Sequence, residues 1–255
     1  MPASFDAADP ADGRVSLPDP PAVLRQTDWL ALEHAAGSAD DIPSALLQLT
    51  DRDPEVRANA LVHLERIHHQ NSIYSATTPV ALYIAGILSH TRTLPRIAAR
   101  YPAWRLEQRS LRAVLMDWLG DIADDVSDES LRVTSRGRFP MESTAEVRML
   151  RAARPAIFTA VSQFLHDDDT DVRASAVTAA AQLLDAPGLA SYREVLLLQM
   201  TDLLVNSCSP YHRMRIERTL QGWNEDPTLP RNLAKNVAEA MAPPAPQRPD
   251  ENPPF

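Results

Sequence analysis

The chain has 255 residues, with 34 acidic against 25 basic side chains, a formal charge of −9, 44% hydrophobic residues and one cysteine. That length supports one large domain or two small ones with a real core, while a composition rich in Ala and Leu and poor in aromatics argues against an all-β fold. The acidic balance disfavours duplex DNA and anionic membranes as partners, no run approaches the roughly 18 to 20 apolar residues of a membrane helix, and Cys208 alone cannot form an intrachain disulfide.

Residues 1–24 hold five Pro and carry acids instead of the apolar stretch of a secretory signal, so they read as a disordered arm and the location expected is the cytoplasm. Lys235 is the sole lysine beside 24 arginines, a bias that follows GC-rich coding and suggests a bacterial origin. From residue 25 to 241 a single domain is expected. Apolar residues recur there at three- and four-residue steps: Ile42, Leu46, Leu49; Val56, Ala60, Leu64, Ile67; Leu111, Leu115, Trp118, Ile122; Ile157, Val161, Phe164; Val172, Ala176, Ala180, Leu183; Leu196, Met200, Leu203. The periodicity predicts about ten helices and an all-α fold. Residues 242–255 hold six Pro in fourteen positions and read as a disordered tail.

Residues 49–61, LTDRDPEVRANAL, align without gaps to residues 165–177, LHDDDTDVRASAV, with seven identities in thirteen positions at an offset of 116. Weaker copies at 110–119 and 212–220 place Arg112 and Arg213 opposite Arg57 and Arg173. Asp53 and Asp169 suit the caps of the helices that follow, and Pro54 the first helical position. The repeated arginine, one turn in, is expected to reach a neighbouring repeat and lace units together.

These residues resemble the HEAT-repeat (armadillo-like) family: a first helix often opened by Pro (Pro43, Pro79, Pro155), an Asp-containing turn (TDRDPE, HDDDTD), and a second helix with a Val-Arg pair. The resemblance spans roughly residues 41–225. It implies a right-handed α-solenoid of about five helical hairpins, with a groove lined by the helices beginning near Val56, Leu111, Val172 and His212. The opening, WLALEHAAGSADDIPSALLQL at 29–49 followed by HHQNSIYSAT, is similar to that of actinobacterial HEAT-repeat proteins, some of which belong to toxin and immunity systems.

Several clusters bear on chemistry. His63, His68 and His69 sit near Glu65, and Glu65 with His69 has the four-residue spacing of two ligands on one helical face, yet HHQ also suits a helix end. The acids 51, 53, 167–169 and 171 lack the pattern of a calcium loop and suit capping. Asp117, Asp121, Asp124 and Asp125 lie near Trp118, an arrangement similar to the carboxylate and aromatic pocket of HEAT-like DNA glycosylases, which surround it with basic rather than acidic charge. Cys208 lies four residues before His212, where Ser207 or Ser209 suits a cap before Pro210. Segment 126–144 interrupts the array and brings Arg132, Arg136 and Arg138 beside Phe139, residue types that concentrate binding energy when a loop projects from a rigid scaffold.

The expectation is a monomeric, non-enzymatic protein-binding module without catalytic, metal or cofactor residues. An immunity-like inhibitor of a cationic toxin is its narrower form. The alternative is an enzyme on a HEAT-like scaffold, either a DNA base glycosylase or a biosynthetic tailoring enzyme.

Overall fold

A computed structural model describes residues 16–99, 107–135, 144–186, 188–206 and 209–223. Ten α-helices and three two-stranded hairpins make up the described residues. Helix α1 (Pro20–Gln26) is followed by strands β1 (Glu33–His34) and β2 (Gly37–Ser38), then α2 (Ile42–Gln48) and α3 (Pro54–Ile67). Strands β3 (His68–His69) and β4 (Ser72–Ile73) precede α4 (Thr77–Ile87), and β5 (Arg96–Ala99) and β6 (Glu107–Ser110) precede α5 (Leu111–Asp125). Helices α6 (Asp128–Ser135), α7 (Ala145–Ser162), α8 (Thr170–Leu183), α9 (Arg193–Asn206) and α10 (Pro210–Gly222) complete the order.

Sequential helices pack in pairs, α2 on α3, α4 on α5, α7 on α8 and α9 on α10, and the pairs meet through α4 on α7, α5 on α8 and α8 on α10. The two copies of the thirteen-residue motif fold alike. Asp53 and Asp169 cap α3 and α8 by accepting the N–H of Glu55 and Asp171, each at 2.9 Å. Two residues earlier, Asp51 and Asp167 accept the N–H of Asp53 and Asp169 at 2.8 and 2.9 Å.

The repeated arginines correct one expectation. Arg57 Nη1 donates to the Asp51 carbonyl at 2.7 Å and Arg173 Nη1 donates to the Asp167 carbonyl, so each closes its own turn instead of a neighbour's. From the fourth helical position the guanidinium doubles back over the first turn to carbonyls of the turn that precedes the helix. Arg213 takes the same position on α10, four residues after the cap Ser209. Arg112 stands two residues after its cap, Ser110, and reaches beyond its own turn. Its Nε donates to the Leu88 carbonyl at 2.8 Å, its Nη1 lies 3.7 Å from Asp167, and its guanidinium stacks 4.6 Å over the Phe164 ring.

Other differences have equally local causes. Helix α1 begins within the stretch read as an arm and runs two residues past it: Asp19 caps it, Pro20 opens it, and Pro20 packs where a side chain on Gly86 of α4 would stand. Pro155 sits inside α7 rather than at its start, because Thr144 caps the helix further back. The carbonyl of Arg151, deprived of an N–H partner by Pro155, faces Arg154 Nε at 3.4 Å. Within 126–144, residues 128–135 form α6, whose Leu131 is buried.

Helix α5 is the centre of the molecule, buried at every residue from Leu111 to Gly120. It meets α8 at a seam of absent side chains: a Cβ on Gly120 would stand 3.0 Å from the Cα of Ala179. Since backbone cannot yield as a side chain can, Gly120→Ala is expected to cost about 1–3 kcal/mol, read as a lower urea midpoint. An unchanged midpoint would show that the helices part freely. With α8 also buried from Ala174 to Leu183, the groove expected along the second helix of each pair is closed at its two middle members.

Candidate functional site

The densest group of polar side chains lies where α5, α8, α10 and β6 converge. Helix α5 reads LRAVLMDWLGDIADD, apolar nearly all round, so its acids at 117 and 121 enter the interior and require partners there. Asp117 receives Arg109 Nη1 on Oδ2 and lies 3.1 Å from His212 Nε2 through Oδ1. Arg109 also binds Asp171, with Nη2 2.7 Å from Oδ1, and donates to Ser175 Oγ at 2.9 Å. One turn along, Asp121 accepts the Tyr211 hydroxyl at 2.8 Å and pairs with Arg215, whose Nη2 donates to the Gly120 carbonyl at 3.0 Å. Arg218 lies 3.4 Å from Asp124, and His68 of β3 pairs with Asp125. Four acids of α5 thus tie together three other parts of the chain.

The electrostatics follow from that wiring. Burial alone would raise the Asp117 carboxyl, but Arg109 and His212 more than offset it and hold the group well below the ordinary carboxylate range. Burial works against the charge on Arg109, yet Asp117 and Asp171 raise its pKa, and Asp121 does the same for Arg215 against an equal tendency. Tyr211 is pushed up by burial and by Asp117, so it stays a donor.

Ser175, His212 and Asp117 have the membership of a nucleophilic triad but not its wiring. In a working triad the two imidazole nitrogens serve different partners, the acid orienting one and the nucleophile using the other. Here Ser175 Oγ and Asp117 Oδ1 both face Nε2, at 3.3 and 3.1 Å, and His212 Nδ1 is buried without a hydrogen-bond partner. Ser175 is 0% and His212 1% exposed. No substrate atom reaches this hydroxyl, and the arrangement acts as a structural lock.

Asp117 and Trp118, considered together as a carboxylate and aromatic pocket, point apart. Trp118 is fully buried and donates from Nε1 to the Leu64 carbonyl of α3 at 3.4 Å, while Asp117 serves Arg109 and His212. His68 and His69 lie on β3, because α3 ends at Ile67 with His68 as its cap, so Glu65 and His69 do not share a helical face. His63 instead lies 3.8 Å from Asp41, which also binds Arg66 at 2.9 Å and His34 at 3.2 Å. Among the described residues no group of three His, Cys, Asp or Glu side chains is placed to hold a metal ion.

Arg132, the first of the proposed partner-binding residues, is exposed on α6 with Nη2 2.9 Å from Glu129, and Arg136, Arg138 and Phe139 lie outside the described residues, as does Cys208. Ser209 caps α10, accepting the His212 N–H at 3.4 Å. Arg154, which sequence reasoning passed over, is 1% exposed with no partner for Nη1, and burial together with Arg151 lowers its pKa to about 10. A buried cation so poorly matched weakens the fold. Arg154→Met is therefore expected to raise stability by about 1–2 kcal/mol, and a fall in urea midpoint would contradict the assignment.

Surface grooves open at two places among the described residues. One, of about 390 Å³, lies between the first turns of α3 and the β5–β6 hairpin, with Glu55, Asn59, Arg96 and Gln108 on its walls. The other, of about 250 Å³, runs between α9 and the turn joining α7 to α8, walled by Leu165, Val177, Leu198 and Leu203. Among the described residues no helix is long and apolar enough to cross a membrane. No family model matches the chain, and no curated protein is significantly similar to it.

Proposed function

We propose that this chain is a non-enzymatic protein-binding module, a right-handed α-solenoid of about five HEAT-like hairpins that acts in the cytoplasm as a monomer. Its partner is a protein of opposite charge, as an immunity-like inhibitor of a cationic toxin would require. The two self-closing Asp-Arg turns and the paired packing of sequential helices support the solenoid reading. The observation that carries the binding reading is the contrast between interior and surface. The acids of α5 and their partners are spent on one another inside the fold, while aliphatic side chains stand exposed on the helices: Leu47 on α2, Val62 on α3, Met149 on α7, Val195, Leu198 and Val205 on α9, and Met214 on α10. Apolar side chains presented on rigid helices within an acidic surface suit capture of a cationic protein.

The test is retention on the immobilised full chain at low salt, beginning with the product of the adjacent gene in the native host. Retention that weakens steeply with salt is the expected result, and failure to retain any protein would remove the proposal. The glycosylase alternative draws no support from Asp117 and Trp118, whose side chains are committed within the core.

A further inference from the structure

Helix α9, REVLLLQMTDLLVN, is apolar on two sides. Leu196, Met200, Leu203 and Leu204 face inward and are buried. Val195, Leu198 and Val205 form a second, outward stripe, exposed by 43%, 74% and 44%. A helix of this composition is ordinarily covered on both sides. Beside the stripe runs the 250 Å³ groove, so Leu198 stands at the lip of a recess and not on a flat surface.

Acids outnumber bases around the recess. Asp202 is exposed within the stripe and accepts Asn206 Nδ2 at 2.8 Å. Glu194, one helical turn before Leu198, and Asp168, two residues after His166, are exposed and carry no ion pair among the described residues. The one arginine in the wall, Arg173, is turned back onto the Asp167 carbonyl, and His166 faces Gln199 Nε2 at 3.4 Å. Gln199 Oε1 is buried without a hydrogen-bond partner, an acceptor that rotation of the amide would turn toward an incoming N–H. Two copies of this chain meeting on the stripe about a two-fold axis would set Glu194 and Asp202 against the same acids. The acids favour a different occupant.

We infer that the α9 groove is the docking site for an amphipathic helical segment of a protein partner, one whose aliphatic side chain enters between Leu198 and Val177 and whose flanking Lys or Arg side chains meet Asp202, Glu194 and Asp168. This rests on the protein-binding reading above and adds where binding occurs and by what chemistry. An aliphatic anchor in the recess supplies the affinity, and the surrounding acids select the sign of the partner.

Fluorescence anisotropy on the full chain tests it, with a labelled 14-residue Leu/Lys amphipathic peptide as probe and Leu/Glu and Ser/Lys peptides of equal length as controls. The wild type is expected to bind the Leu/Lys peptide at least tenfold more tightly than either control. Leu198→Lys and Asp202→Lys, both at exposed positions, are each expected to weaken it tenfold or more. Equal binding of all three peptides, or indifference to both substitutions, overturns the inference. Hydroxyl-radical footprinting of the free protein supplies a second readout: Leu198 and Val195 are expected to oxidise readily, and protection of both means that another segment of the chain or a second copy already covers the face, which also overturns it. If a native partner is retained equally by wild type and by both variants, the groove assignment fails and the protein-binding reading stands. If the peptide behaves as expected but no protein is retained, the reverse holds.

Discussion

Asp117→Ala is expected to destabilise the protein by about 3–5 kcal/mol, because removal of one member of a buried ion pair leaves its partner's charge uncompensated. Arg109 keeps Asp171, which is partly exposed, but loses the fully enclosed carboxylate; His212, already lacking a partner at Nδ1, loses the acid facing Nε2 as well. Urea denaturation reads the loss, with Arg132→Ala as a control in which an exposed pair is removed at a cost of at most about 1 kcal/mol. The pH dependence carries a distinct signature. Since the Asp117 carboxyl is held below its ordinary value in the folded state, its contribution is present above the unfolded value of about 3.9 and is lost as pH falls through the folded value beneath it. Wild-type stability should therefore fall below about pH 4 more steeply than that of the variant. Parallel pH profiles would show that the pair contributes nothing differential.

Trp118→Ala is expected to cost a similar amount, about 3–5 kcal/mol, through a cavity at the centre of the core. Trp118 has no exposed surface, and its Nε1 donates to the carbonyl of Leu64, so the indole is both filler and link between α5 and α3. Trp118→Phe separates the two roles: it retains most of the volume and forfeits the hydrogen bond, a loss of about 1 kcal/mol plus a smaller void. Comparable midpoints for wild type and Trp118→Ala would mean that the helices around α5 collapse without penalty.

These two neighbours on one helix show how legible the fold was. The helical content followed from period and composition, and the thirteen-residue repeat located α3 and α8 together with their caps, because an Asp at the cap and Pro or an acid in the next turn act within a few residues. The role of the repeated arginine was harder. Its reach back to a carbonyl six residues earlier is local too, but the choice between its own turn and a neighbour's depends on geometry that spacing does not encode. Helix α1 was hidden by its prolines, which at the first positions of a helix open it and in a longer run suggest a tail.

The buried lock was not legible as a set. Arg109 and Asp171 are 62 residues apart, and Asp117 and His212 are 95 apart. One signal did exist: acids at 117 and 121 within the largely apolar run from Ala113 to Ala123 demand interior partners, though nothing in the sequence says which cations supply them. The α9 groove left a comparable trace, since REVLLLQMTDLLVN has more apolar faces than one neighbour can cover. Its acids, by contrast, took on meaning only once α9 was placed beside the turn at 166–169.

The turns before α3 and α8 each satisfy their own carbonyls and N–H groups with their own Asp and Arg. A hairpin built this way arrives with its clasp included. Copying or moving the α8 hairpin would nonetheless orphan ions at the joint, because its Asp171 also serves Arg109 and its Asp167 lies beside Arg112. The contacts of Arg109 with Asp171, of Arg112 with Asp167 and of His212 with Asp117 lack that independence, so change at any of these positions would have to be matched by change at its partner.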